Sequence, residues 1–391
     1  MALHPTSTRR EFLQSATLAA TSLSLASLPA RGANPPAATA FSFLLLGDLH
    51  YDKLEHHDLA WVRREKSNDI SQIENYSRIT RDLTPRLLAT VRDTIADLNR
   101  SAPTRVAFVL QVGDLVEGLC GSEALSVQQN REALAFVRDA RLGAPFLFTK
   151  GNHDITGPGA VTAFGEVFHP FLNDQARAVS PGTDAVTSAR YTVTSGNAQF
   201  VFFDAYEAGV SLDWFEAVAA RRTAENLFVV VHPPVVPYGA RSTWHVFSSA
   251  REKARRERFL ALLGDQQAIV LGGHIHRYNR LVRAAGRGRF SQFALSSIIS
   301  APEVKPKTEL LSPDRYTPDQ ITVEPAFSPA NADERRAVYT AEQAFVSRFE
   351  YADLPGYAVV TVDGSRVTAR MYSGIGRELW RTAELNPNAA G

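Results

Sequence analysis

Five apolar runs in this chain each break off at a small cluster of Gly, Asp, Asn or His. Phe41–Leu46 is followed by Gly47-Asp48-Leu49-His50, and Arg105–Val112 by Gly113-Asp114. Ala144–Thr149 leads, through Lys150, into Gly151-Asn152-His153-Asp154. Leu227–Val231 ends in His232-Pro233-Pro234, and Ala268–Leu271 in Gly272-Gly273-His274-Ile275-His276. Short apolar runs bounded by turn residues read as buried strands. Loops at strand ends are where scaffolds place their chemistry. Gly, Asn and Asp at one such end would be explained by a turn alone. Five ends carrying carboxylate, amide and imidazole groups ask for a fold that gathers them.

The intervening segments supply that fold. Leu83 to Asn99 has helical spacing, with Leu87, Leu88, Val91, Ile95 and Leu98 on one side. Strand, helix and strand in this order form a βαβ unit, and parallel strands share their carboxyl ends, so Asp48 and Asp114 fall on one edge. A second helix, about Ser126 to Arg141, leads to the strand before Asn152. Tyr191–Thr194 and Gln199–Asp204 read as a hairpin, Ser211–Arg221 as a helix, and Asn279–Val282 and Phe290–Leu295 as short strands. Residues 51–80 read as an irregular loop with a short helix, and His56 and His57 as solvated. Ser249–Leu263 reads as a helix whose Arg251, Lys253, Arg255, Arg256 and Arg258 form a solvated face. Residues 301–332 are a Pro-rich surface excursion. Glu334–Phe349 is expected to be a helix, and residues 356–372 a hairpin around Asp363-Gly364 that closes the second sheet. Residues 376–391 are left as a tail. One α/β domain over residues 41–375 is expected.

The N-terminus reads as a targeting segment. Thr8-Arg9-Arg10-Glu11-Phe12-Leu13 is a twin-arginine pattern before a mildly apolar run, Ser15–Leu28. Cleavage is placed between residues 30 and 40, with residues 1–33 as the nominal signal. That run is too short and too polar for a membrane span, so no stable span remains after cleavage. The expected partner is the twin-arginine export machinery, and the expected location is periplasmic or secreted. Cys120 is the single cysteine, which excludes an internal disulfide framework. A net charge of +1 gives no electrostatic case for a nucleic-acid surface.

The strand-end donors are Asp48, His50, Asp114, Asn152, His232, His274 and His276. Oxygen and imidazole ligands without thiolate suit Mn, Fe, Zn or Co. Seven donors are too many for one ion with a position left open for substrate. Two ions sharing a carboxylate fit, and such a pair, about 3.5–4 Å apart, clamps both oxygens of a phosphoryl transfer. The loop Val235–Phe247 offers Tyr238, Trp244 and His245 as a substrate wall.

The ordered set Asp-x-His, Gly-Asp, Gly-Asn-His-Asp, His and Gly-His-x-His resembles the calcineurin-like metallophosphoesterases. The resemblance implies a four-layer α-β-β-α sandwich with two mixed sheets. It implies that Asp48, His50 and His276 bind one di- or trivalent ion, that Asn152, His232 and His274 bind the other, and that Asp114 bridges. It further implies in-line attack of a metal-bound hydroxide on a small phosphate mono- or diester. His153 would then be a catalytic residue that stabilises the transition state and assists the leaving group. Where the family often has Gly-Asp-x-x-Asp, with the second Asp orienting the catalytic histidine, this chain has Glu117. Glu117 is also not the Tyr of the purple acid phosphatase pattern. Asp154 is expected either to hold the loop or a histidine, or to be a turn residue. The alternatives are a nucleotide-specific hydrolase or nuclease and, in another class, an inactive metal-binding protein on the same scaffold.

Overall fold

The computed structural model describes residues 40–101, 104–239, 245–318 and 332–389. The twin-arginine segment, Trp244 and residues 319–331 of the Pro-rich excursion lie outside them.

In chain order, β1 (Phe41–Leu46) leads through α1 (Leu59–Glu65), α2 (Ile70–Asp82) and α3 (Thr84–Ser101) to β2 (Arg105–Gln111). Next come α4 (Glu123–Asp139), β3 (Phe146–Phe148), α5 (Ala160–Ala163) and α6 (His169–Val179). The hairpin β4 (Tyr191–Ser195) and β5 (Ala198–Phe202) is followed by α7 (Ala208–Ala219), β6 (Asn226–Val230), α8 (Lys253–Asp265) and β7 (Ile269–Gly272). The chain then runs through β8 (Tyr278–Ala285), β9 (Gly288–Ala294), β10 (Glu309–Leu310), α9 (Ala332–Gln343) and β11 (Val346–Ala352). It closes with β12 (Gly356–Asp363), β13 (Arg366–Ser373) and β14 (Leu379–Glu384).

These strands form two mixed sheets, ordered β14-β13-β12-β1-β2-β3 and β10-β11-β8-β9-β7-β6-β5-β4. The two-residue period of a strand assigns the faces. Phe200, Phe202, Phe228 and Val230 join the core shared with the first sheet, while Val201, Leu227, Val229 and Val231 pack with residues of α7 and α8. Phe43 stacks on Phe108 at 5.3 Å within one sheet, Phe200 on Phe228 at 4.5 Å within the other. Phe43 meets Phe228 edge-on at 5.6 Å, a geometry that offset aromatic quadrupoles favour. On the far side of the first sheet, Leu87, Leu88, Val91 and Ile95 of α3 join Leu134 and Val137 of α4 in the same core. The result is the expected α-β-β-α sandwich.

Several expectations are corrected. The 356–372 hairpin does not close the second sheet; β12 pairs antiparallel with β1 and so extends the first. The helix expected over 334–349 ends at Gln343, and Val346–Ala352 is a strand paired with β8. Its Val346, Phe349, Glu350 and Ala352 are buried, an irregular alternation that long-range pairing overrides. The tail contains β14, an edge strand with only Ala383 fully inside, held by its ladder to β13. Residues 51–80 are largely helical, and α2 is amphipathic, burying Ile73, Tyr76 and Ile79. His56 and His57 are buried, bonded to Glu132 and to Asp52 respectively. Arg256 leaves the solvated face of α8: its guanidinium turns inward onto Glu342 at 2.9 Å and the Val235 carbonyl at 2.9 Å. Among the described residues, no helix is long and apolar enough to cross a membrane.

Candidate active site

The strands β1, β2 and β3 are parallel, as are β5, β6 and β7, so each set releases its chain at one edge. Asp48 and His50 leave β1, Asp114 leaves β2, and Asn152 and His153 follow β3. From the second sheet, His232 leaves β6, and His274 and His276 leave β7. The two sheets bring these ends together. Their backbone is bent to do so: His50, Asp114, His274 and His276 adopt φ values of 46°, 54°, 69° and 57°. Left-handed non-glycine residues of this kind cluster at functional sites. Two glycines clear the space. A Cβ on Gly151 would lie 2.1 Å from Asp114 Oδ1, and one on Gly273 2.2 Å from Asp48 Oδ1.

Two donor groups result, and Asp114 belongs to both. In the first, Asp48 Oδ2 lies 3.0 Å from His276 Nε2, His50 Nε2 3.2 Å from His276 Nε2, and His50 Nε2 3.7 Å from Asp114 Oδ2. In the second, His232 Nε2 lies 3.0 Å from the same Asp114 Oδ2 and 3.3 Å from His274 Nδ1. Each group places its ligand atoms within 4.8 Å of one another, as a metal site requires. Asn152 Oδ1 is buried and has no hydrogen-bond partner among the described residues. A buried amide oxygen left unbonded is costly, and a cation beside it removes that cost. The donor chemistry, the shared carboxylate and this orphaned oxygen all fit a pair of metal ions.

The imidazoles differ in protonation. Burial opposes a charge on His232, but attraction to Asp114 and its bond with that carboxylate raise it to about 9, so an ion there displaces a proton. His50 and His274 are held neutral. Burial, then the charges of His153 and of the other histidines, holds His50 well below its usual value, although Asp114 opposes this. Burial and His232 do the same for His274. Both are therefore neutral imidazoles with a lone pair to offer. Burial works against ionisation of Asp114, but His232, His153 and His50 together hold it well below the usual carboxylate range.

The nitrogens facing away are fixed by bonds that set ring orientation and tautomer. His232 Nδ1 donates to the Val112 carbonyl at 2.8 Å. His50 Nδ1 meets Glu117 Oε2 at 2.6 Å. Glu117 thus serves His50 with its carboxylate, and it orients His153 by another atom: the His153 Nδ1–H donates to the Glu117 backbone carbonyl at 2.8 Å. The carboxylate is 3.3 Å from the same nitrogen. The His153 backbone N–H donates to Asp114 Oδ1 at 2.8 Å. Burial opposes a charge on His153, but attraction to Glu117 and Asp114, and its bond to the Glu117 carbonyl, raise it to about 9.

Asp154 holds the loop. It is buried and accepts from Gly151 N at 2.7 Å and from Asp114 N and Val116 N at 3.1 Å. Asp154→Ala leaves three buried N–H groups without an acceptor, and an expected loss of about 2–4 kcal/mol follows. Urea unfolding of the variant against wild type reads it directly.

Of the three residues expected to form a substrate wall, the two that are described, Tyr238 and His245, are both buried. Tyr238 is fully buried in the core on the outer side of the second sheet, where its phenol has no exposed face. His245 lines a separate cavity of about 580 Å³ bounded by α8, β8, β9 and α9, together with Arg283, Glu342 and Phe345. Trp244 is outside the described residues. What the sequence reading missed lies on α2: Gln72 Nε2 donates to Glu117 Oε1 at 2.7 Å, and Tyr76 stacks on His50 with centroids 4.3 Å apart. The four-residue spacing of these two on an amphipathic segment was the available signal.

The family profile for calcineurin-like phosphoesterases matches residues 41–278. No curated protein sequence matches the chain. Among solved structures, a dimetal phosphatase from Danio rerio is 15% identical with a TM-score of 0.50, covering 89% of this chain and 99% of its own. A purple acid phosphatase from yellow lupin seeds is 12% identical with a TM-score of 0.52 over 89% of this chain. The chain spans only 54% of the lupin enzyme's length. At these identities the likeness concerns the fold. The profile match covers more than half of the chain and includes every donor named above: this protein belongs to the calcineurin-like phosphoesterases.

Proposed function

We propose that this chain is an exported two-metal phosphoesterase acting on small phosphate mono- or diesters. The observation that carries the reading is the Asp114 carboxylate, whose Oδ2 faces His50 of one donor group and His232 of the other. Asp48, His50, Asp114 and His276 would hold one ion; Asn152, His232, His274 and Asp114 would hold the second. A bound pair of Mn, Fe, Zn or Co ions supplies Lewis acidity toward the phosphoryl oxygens and lowers the pKa of water. The chain's own residues do the rest. His153, tethered through Nδ1, keeps Nε2 free to hold a proton and pass it to the leaving oxygen. Asp114, by taking the His153 N–H, fixes that ring relative to the donor groups. The Glu117 carbonyl fixes its tautomer.

Export by the twin-arginine route to the periplasm or medium is supported by the Arg9-Arg10 pattern and by a chain with one cysteine. The test of the whole reading is metal content of natively exported protein, measured alongside turnover of a chromogenic phosphomonoester and phosphodiester. About two ions per chain with turnover of either ester supports it, and the ratio of rates assigns the ester class. Two ions without turnover would leave a metal-binding protein on a phosphoesterase scaffold.

A further inference from the structure

One face of α2 meets His50 twice and the carboxylate bonded to His50 once. Gln72, Tyr76 and Thr80 recur every four residues, so they stand above one another on the helix. Thr80 Oγ1 accepts from the Asp52 backbone N–H at 2.9 Å and lies 3.4 Å from the His50 carbonyl. Tyr76 lies flat on the His50 ring, at 17° between planes. Gln72 reaches past both to the Glu117 carboxylate.

That last contact decides how Glu117 is used. Its carboxylate is fully buried between two histidines, 2.6 Å from His50 Nδ1 and 3.3 Å from His153 Nδ1. One carboxylate cannot serve both rings equally. The Gln72 amide takes Oε1, which leaves Oε2 facing both rings but hydrogen-bonded to the nearer one, His50 at 2.6 Å against 3.3 Å for His153. His153 is left to the Glu117 backbone carbonyl. We infer that Gln72 is a positioning residue that commits the Glu117 carboxylate to His50, and so tunes the metal half-site of Asp48, His50, Asp114 and His276. Such outer contacts orient the imidazole and raise its basicity as a ligand. The inference rests on the two-metal reading above.

The test is a calorimetric titration of Co²⁺ into chelator-treated full-length protein. Gln72→Met keeps the length of the side chain and removes the donor. One of the two binding events is expected to weaken about 10- to 100-fold, the range for removing an outer partner of a metal-binding histidine; the other event stays as in wild type. The same substitution in a Glu117→Gln background is expected to weaken Co²⁺ binding no further, because the group Gln72 acts through is already altered. A purely structural Gln72 would add its effect in both backgrounds. Unchanged affinity at both sites in Gln72→Met, or an undiminished loss in the Glu117→Gln background, overturns the inference while two-ion binding by wild type leaves the functional reading intact. Failure of the wild type itself to bind two ions overturns both.

Discussion

Asp114→Asn is expected to lower phosphoester turnover about 10³-fold, the equivalent of several kcal/mol of transition-state stabilisation lost with a displaced metal pair. The substitution is nearly isosteric, so the scaffold persists and the loss is one of charge. Asp114 Oδ2 is the atom that faces both His50 and His232, and no other carboxylate belongs to both donor groups. A neutral amide there offers one donor oxygen without the negative charge that opposes repulsion between two cations. Metal content is therefore expected to fall from about two ions per chain toward one or none. Elemental analysis of the purified variant, beside its rate, checks both halves. A variant that retains two ions and full turnover would remove Asp114 from the bridging position.

His153→Ala is expected to lose activity by a different route, about 10²- to 10⁴-fold, the range for general acid–base assistance. His153 shares no position with the two donor groups that contain Asp114, and the backbone N–H that Asp114 accepts survives the change. The variant is therefore expected to keep two metal ions. Its pH profile should differ too. Burial opposes a charge on His153, but Glu117 and Asp114 raise it to about 9, while burial raises Glu117 itself to about 8. The His153–Glu117 pair therefore holds a proton through neutral pH and releases it as the solution turns alkaline. Bound cations would move that release to lower pH. The wild-type rate should fall across it, whereas the residual rate of His153→Ala should lack that limb. Rate against pH for both proteins, with metal content fixed, decides the matter.

The site was largely legible from sequence because its donors sit where two local signals coincide. An apolar run marks a buried strand, and the polar cluster that follows marks the edge at which it ends. Asp48, Asp114, Asn152, His232 and His274 all carry both marks. The fold failed to be legible where neither mark was present. Glu350 is buried in the interior of β11 and bonded to Arg280 and Tyr278, so its strand reads as an amphipathic helix until β8 is beside it. His56 and Arg256 look like solvent-facing charges because their partners, Glu132 and Glu342, come from distant segments, while His57 is buried by a turn that brings it back onto Asp52. Glu117 was recognised by its offset from Asp114, but which ring its carboxylate serves depends on Gln72, 45 residues earlier. Tyr238 illustrates the reverse error: an aromatic residue in a loop near a ligand was placed on the surface, whereas the second sheet buries it.

The division of the donors between the two sheets has a mechanical consequence. Asp48, His50 and Asp114 ride on one sheet, and His232, His274 and His276 on the other, so an ion held by either group is a further cross-link between layers already joined at that edge by the His232–Val112 and His274–Asp48 hydrogen bonds. Donors spread from residue 48 to residue 276 offer an unfolded chain no preformed site, so the free energy of binding is added almost whole to that of folding. At a free ion concentration a hundred times the dissociation constant, each site would add about 2.7 kcal/mol. The centre is in this sense a clasp for the sandwich, fastened only after the two sheets have met.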